Sequence, residues 1–251
     1  MTTAEQLAAL LRQDRIPEQH SGTVLPPAQL AGRIQHTLLG QAITDRQVRT
    51  HVQECLEFGF DLAVVPPTWV ATAKEEFGDN GGRVGSFLDY PFGTGTTTAR
   101  VAEAKALVQA GVDELDTTIN LGFLLSGRIR EFTSDLSAVV AAASPIGVKA
   151  VLELPLLGRE QQLVATRAAA DAGVAFVGNA SSGSIGIADA GTIAFLRGCM
   201  PSSIGVKASG GIKTVEQVRA VLLAGADLIG TAAGVPIVTG CGRVPGTLYS
   251  Y

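Results

Sequence analysis

A chain of 251 residues that is 46% hydrophobic and carries a formal net charge of −4 is long and apolar enough to fill one large core. Its 19 basic side chains are scattered, leaving no electrostatic footprint for nucleic acid or an anionic membrane surface, and no run reaches the apolar length of a membrane helix. Three widely spaced cysteines, Cys55, Cys199 and Cys241, argue against a disulfide framework, and the first nineteen residues lack the apolar core of an export signal, so a cytoplasmic protein with reduced thiols is expected.

Residues 1–30, with Pro17, Pro26 and Pro27, read as an N-terminal helical extension and a loop; one domain with a short tail is expected over 31–251. Short apolar runs then alternate with amphipathic stretches. Strands are expected near 34–39, 62–65, 83–88, 114–119, 147–154, 175–178, 204–208 and 227–230. Helices are expected between them at 45–57, 68–76, 97–110, 130–143, 159–172, 188–197 and 215–224, with a short last one after residue 232. Eight such units predict an α/β fold, a (β/α)8 TIM barrel in a single domain. An open doubly wound sheet is the alternative, but no G-x-G-x-x-G follows the first strand.

The junctions Ala110-Gly111-Val112, Ala172-Gly173-Val174 and Ala224-Gly225-Ala226 each put a glycine where a helix should end, since glycine adopts the left-handed conformation there at little cost. Gly59 does the same after the first barrel helix.

Active sites of such barrels form at the C-terminal ends of the strands, which singles out Lys207 in Val206-Lys207-Ala208-Ser209-Gly210-Gly211. An amine on an apolar strand loses hydration in its charged form and becomes a candidate nucleophile or proton carrier, and the glycines after it let backbone N–H groups approach a ligand. The bland alternative is a lysine that snorkels to solvent. Asp116 on the fourth strand is the carboxylate that would partner it. The other polar residues at strand ends are Thr37, Asn120, Glu153, Asn179, Ser181, Ser182, Ser209 and Thr231, with Gly210, Gly211 and Gly230 as backbone contacts. His36 reads equally as a hydrogen-bonded structural residue or an acid/base group, and Asp89 and Tyr90 as substrate contacts or a loop turn. Lys149 is placed at the start of its strand, on the stability face, as a structural residue. His20, His36 and His51 lack metal-ligand spacing with carboxylates or cysteines, so no metal site is read, and no cofactor is implied.

The ordered stretches His36-Thr37-Leu38-Leu39, Tyr90-Pro91-Phe92-Gly93, Glu103-Ala104-Lys105, Glu114-Leu115-Asp116, Ile119-Asn120, Val148-Lys149, the Lys207 segment and Gly230-Thr231 with Ala233-Gly234 together resemble the deoxyribose-phosphate aldolase family of class I aldolases, from about residue 34 to 238. The resemblance implies an aldolase barrel in which Lys207 and Asp116 are the family's second lysine and its aspartate, which assist proton transfer. The family's Schiff-base lysine falls on Gly178, so this member diverges at the position that forms the imine. Pro66 replaces the asparagine after the second strand, Leu154 the threonine of a Glu-Thr pair, Gln35 the aspartate before His-Thr, and Ala232 a serine at the phosphate end. Some family members end in a Ser-Tyr tail that reaches the site, which draws attention to Tyr251.

Three functions follow. The first is an aldolase-like enzyme acting on a small carbonyl compound, with or without a phosphate, in which Lys207 and Asp116 form an acid/base or imine-forming pair and deoxyribose 5-phosphate cleavage is lost. The second is a repurposed catalyst without an imine, carrying out a cyclisation, elimination or condensation in a biosynthetic pathway, with Asn179, Ser181 and Ser182 orienting a carbonyl. The third is a non-catalytic ligand-binding relic. Loss of the neighbouring lysine also leads us to expect a raised pKa at Lys207. Oligomeric state is not written in the sequence, a homodimer being the option that such barrels often take.

Overall fold

The apolar runs become strands β1 (Ile34–Thr37), β2 (Leu62–Val64), β3 (Val84–Leu88), β4 (Glu114–Thr118), β5 (Gly147–Val151), β6 (Phe176–Gly178), β7 (Gly205–Ser209) and β8 (Leu228–Thr231). They pair in parallel and in sequence order around a closed barrel, as expected of a (β/α)8 fold. The structure is a computed structural model that describes residues 27–240. The extension up to residue 26 with His20, and the tail from Cys241 to Tyr251, lie outside the described residues.

Around the barrel run α1 (Pro27–Ala31), α2 (Asp45–Phe58), α3 (Val70–Phe77), α4 (Thr97–Gln109), α5 (Leu121–Leu125), α6 (Ile129–Ala143), α7 (Arg159–Asp171), α8 (Ala190–Cys199), α9 (Val215–Leu223) and α10 (Gly234–Thr239). The junction glycines behave as the sequence requires: Gly111, Gly173 and Gly225 have φ of 88°, 82° and 103°. Several expectations shift: the first strand, expected to 39, ends at Thr37, and the fifth, expected to 154, ends at Val151. The helix expected from 68 starts as a 3-10 turn at Pro67–Trp69, because Pro67 fixes φ and lacks an N–H, and the α-helix proper follows it. The short α5 was not expected; Asn120 creates it by accepting a hydrogen bond from the Phe123 N–H.

Residues paired across neighbouring strands share a face of the sheet, so register decides what points into the barrel. Phe87 pairs with Asp116, Asp116 with Lys149, Val151 with Gly178, and Gly178 with Lys207, which sets all of these on the inner face. Gln35 also points in, reaching Asp61 and Glu114, so its neighbour His36 points out and stacks on His51 of α2. Outside the barrel, Arg100 of α4 is 1% exposed and holds the end of β4 in place. It donates to Thr117 Oγ1 and the Thr118 carbonyl at 2.7 Å, pairs with Asp135 of α6, and brings Nε to 3.4 Å from Asp89 in the loop after β3.

Candidate active site

A cavity of about 660 Å³ opens at the C-terminal ends of the strands, the end where barrels of this kind keep their chemistry. Lys207 and Asp116 form its floor, and Thr37, Tyr90, Ser181, Ser182, Ser209, Gly210, Gly211, Gly230 and Thr231 line its sides. Much of the remaining wall is apolar, supplied by Leu38, Val64, Phe87, Val151, Ile212 and Val235.

Lys207 Nζ donates to Asp116 Oδ2 at 2.5 Å, and Lys149 Nζ donates to Asp116 Oδ1 at 3.1 Å. Lys149 therefore corrects the sequence reading: it stands in the middle of β5, 1% exposed, and extends along the inside of the barrel rather than bracing its base. Below it the pairing continues, since Lys149 meets Glu114, and Glu114 meets Arg83 and accepts from the Gln35 amide at 2.8 Å. Gln35 and Arg83 also donate to Asp61, at 3.0 Å and 2.9 Å. The column alternates three cations, Lys207, Lys149 and Arg83, with three carboxylates, Asp116, Glu114 and Asp61, and Gln35 joins two of those carboxylates without adding charge.

This column decides the protonation of the site. Burial opposes charge on Asp116, but the two ammonium groups on either side outweigh it and hold its carboxyl below the usual range. Burial pushes the Lys207 amine down, Asp116 pushes it up, Lys149 pushes it down again, and the balance lies below an ordinary lysine. The expected rise is thus reversed, first by burial of the amine and then by the like charge of Lys149. Gly230 shapes the same site sterically, because a Cβ there would lie 2.8 Å from Lys207 Cε.

The hydroxyls of the wall are mostly spent on the protein itself. Thr37 donates to the Gln35 carbonyl, Ser209 to Ala180, Thr231 to Ile212 and the Tyr90 phenol to Ser181, all within 2.9 Å, while Ser182 and Ser184 share a hydrogen bond. Ser181 Oγ is the exception, buried and without a partner among the described residues. Three expected contacts fall outside the cavity wall. Asn120 is the cap of α5, Asn179 is clamped at both ends to the Ser209 backbone at 2.8 Å, and Glu153 accepts from the Ser181 N–H at 3.1 Å. Asp89 accepts from the Gly95 N–H and orders its own loop, whereas Tyr90 reaches the cavity.

Sequence spacing also missed a grouping on the outer side of β1. His36, His51 and Glu54 bring one ligand atom each within 4.8 Å of one another, although they are fifteen and three residues apart in the chain. Pairing of β1 with the helix that follows it, invisible to motif spacing, brings them together. For the inner residues a signal did exist: Glu114-Leu115-Asp116 has the period of two that sets both carboxylates on one face.

The chain is similar to deoxyribose-phosphate aldolases from Streptococcus pneumoniae, 36% identical over 207 residues that cover 82% of this chain and 94% of the relative, and from Streptococcus suis at 35% with the same coverage. No family model matches it. Among solved structures, it is similar to a tetrameric deoxyribose phosphate aldolase from Aeropyrum pernix, with a TM-score of 0.80 and 27% identity over 96% of this chain and 98% of that one. A Coccidioides immitis structure superposes with a TM-score of 0.85 and 28% identity, covering 97% and 99%. With an eight-stranded barrel, the paired Lys207 and Asp116, and relatives of this similarity along nearly their whole length, the chain belongs to the deoxyribose-phosphate aldolase family.

Proposed function

We propose that this chain is an aldolase-family enzyme that moves a proton beside the carbonyl of a small substrate, with Lys207 as base and acid and Asp116 as the group that holds it. The observation that carries the reading is a buried amine opening on a large cavity, 2.5 Å from a carboxylate and depressed in pKa. In its neutral form Lys207 takes a proton from the carbon next to the carbonyl, the C–H pair becomes the C=C bond while the carbonyl π pair moves to oxygen, and Asp116 stabilises the ammonium that results. Ser181, whose Oγ has no hydrogen-bond partner among the described residues, turns that hydroxyl into the cavity and donates to the developing oxyanion. Carbon–carbon cleavage uses the same groups: Lys207 takes the proton of the β-hydroxyl, the bond breaks, and Ser181 meets the enolate oxygen. An anionic end such as a phosphate fits the rim, where Gly210, Gly211 and Lys213 edge the cavity. Deoxyribose 5-phosphate cleavage through an imine at position 178 is lost, since glycine offers no amine there.

Proton–deuteron exchange at the carbon beside the carbonyl of candidate aldehydes, followed by NMR, tests this directly. Lys207→Met should slow it by roughly 10²–10⁴-fold, the usual worth of a positioned acid/base; a variant as fast as the parent would refute the assignment. A second reading, with Lys207 itself forming an imine, is favoured by the same depressed pKa. Borohydride reduction with aldehyde present and mass mapping of Lys207 separates the two.

A further inference from the structure

We propose that His36, His51 and Glu54 form a site for a divalent transition metal of the zinc type, in the wall between β1 and α2. His51 and Glu54 stand three residues apart on α2 and so share one helix face, turned towards His36 on the outer side of β1. One ligand atom from each lies within 4.8 Å of the other two. Two imidazoles and a carboxylate are the donor set that holds zinc with a coordination position left open, and all three residues border the large cavity.

The hydrogen bonds around the rings leave donor atoms that a cation could take over once His51 has turned. As the ring now lies, His51 Nε2 donates to the His36 carbonyl at 3.1 Å, which leaves Nδ1 with its lone pair, and turning towards an ion exchanges that bond for ligation. His36 Nε2 donates to Glu54 Oε2 at 2.9 Å, and a cation between these two atoms would take the place of the shared proton. That proton moves to His36 Nδ1, which is buried and has no hydrogen-bond partner among the described residues, so the ring remains neutral and no proton is lost. Glu54 has no ion-pair partner other than His36 among the described residues, and its side chain is 38% exposed, which gives the ion a way in.

The two rings lie face to face, with centroids 4.3 Å apart and planes 24° from parallel. In-plane lone pairs of stacked rings do not converge on one ion, so ligation turns His51 out of the stack. Space for that turn exists in a smaller cavity of about 230 Å³, bordered by Leu38, Thr50, His51 and Glu54.

The test is titration of the full chain, stripped with chelator, with Zn²⁺ by calorimetry and with Co²⁺ by visible absorption. One equivalent should bind, with Co²⁺ bands of a low-coordinate site and shifted imidazole resonances for His36 and His51. His51→Leu and Glu54→Gln should each weaken that binding by at least about tenfold. Glu54 is at the surface, so Glu54→Gln reports on the site even if His51→Leu fails to fold. Absence of binding, or an equivalent held with undiminished affinity by the folded variants, would overturn the proposal.

Discussion

Asp116→Asn is expected to destabilise the fold by about 3–5 kcal/mol at neutral pH, the loss that follows when one partner of a buried ion pair is removed and the rest stay charged. The amide would leave Lys149 and Lys207 on opposite sides of an uncharged group, with only Glu114 to balance Lys149 from below. Lys207→Met provides the contrast. It takes away one cation and leaves Asp116 with Lys149, so its cost should be much smaller even though activity falls. The pH dependence has a definite sign. The Asp116 carboxyl lies below its usual value of about 4, so its contribution is complete above that pH and disappears only as pH falls through the lower folded-state value. Urea unfolding of parent and variant should therefore differ fully at pH 7 and converge only in strong acid. A difference under about 0.5 kcal/mol at pH 7, the scale of ordinary surface substitutions, would show that water or local movement relieves the two ammonium groups and that the column is not the compact ionic unit described above.

The column also marks the limit of what the sequence could say. Alternation of apolar runs with amphipathic stretches, punctuated by glycines at helix ends, made the eight units and most of their boundaries readable, because local periodicity reports the face that each element buries. Lys207 and Asp116 were readable as charged residues within strand-like runs, although each stands in the middle of its strand, β7 or β4, rather than at its end. Depth was not readable. Lys149 lies only three residues into its strand, and whether its amine reaches up to Asp116 depends on the stagger between β4 and β5, which pairs Asp116 with Lys149 itself. The misjudged pKa of Lys207 followed from the depth at which its amine is buried and, after that, from the omitted charge of Lys149. Asn120, Asn179 and Glu153 lie outside the cavity wall for another reason: each is polar and sits at a strand end, but backbone N–H and carbonyl groups nearby claim its side chain, and such local satisfaction leaves no trace in spacing.

Gly178→Lys is the change expected to have the largest gain. Gly178 pairs with Lys207 on the inner face of the barrel, and a Cβ added there would meet its nearest atoms, the Lys207 carbonyl oxygen and Val151, at 3.7–3.8 Å, which is ordinary contact. The side chain can therefore start without displacing backbone, and it enters a column in which three cations already match three carboxylates. A fourth cation has no anion of its own, so burial and the charges of Lys207 and Lys149 should hold the new amine neutral, which is what attack on a carbonyl requires. The same imbalance should lower stability, and Gln35→Asp in the same chain adds the compensating charge at the lower end of the column, although beside Asp61 and Glu114. Borohydride trapping with a simple aldehyde should label position 178 in the variant and not in the parent. Whether deoxyribose 5-phosphate is then cleaved separates two kinds of divergence. Cleavage would mean that the phosphate end, with Ala232 and the Gly210–Gly211 backbone, still suits that sugar and that the missing amine alone ended the family reaction. Trapping without cleavage would mean that the rest of the cavity has moved to another substrate. A folded variant that traps no aldehyde would show that position 178 no longer faces a productive carbonyl, and the imine chemistry would have to be sought at Lys207 or abandoned.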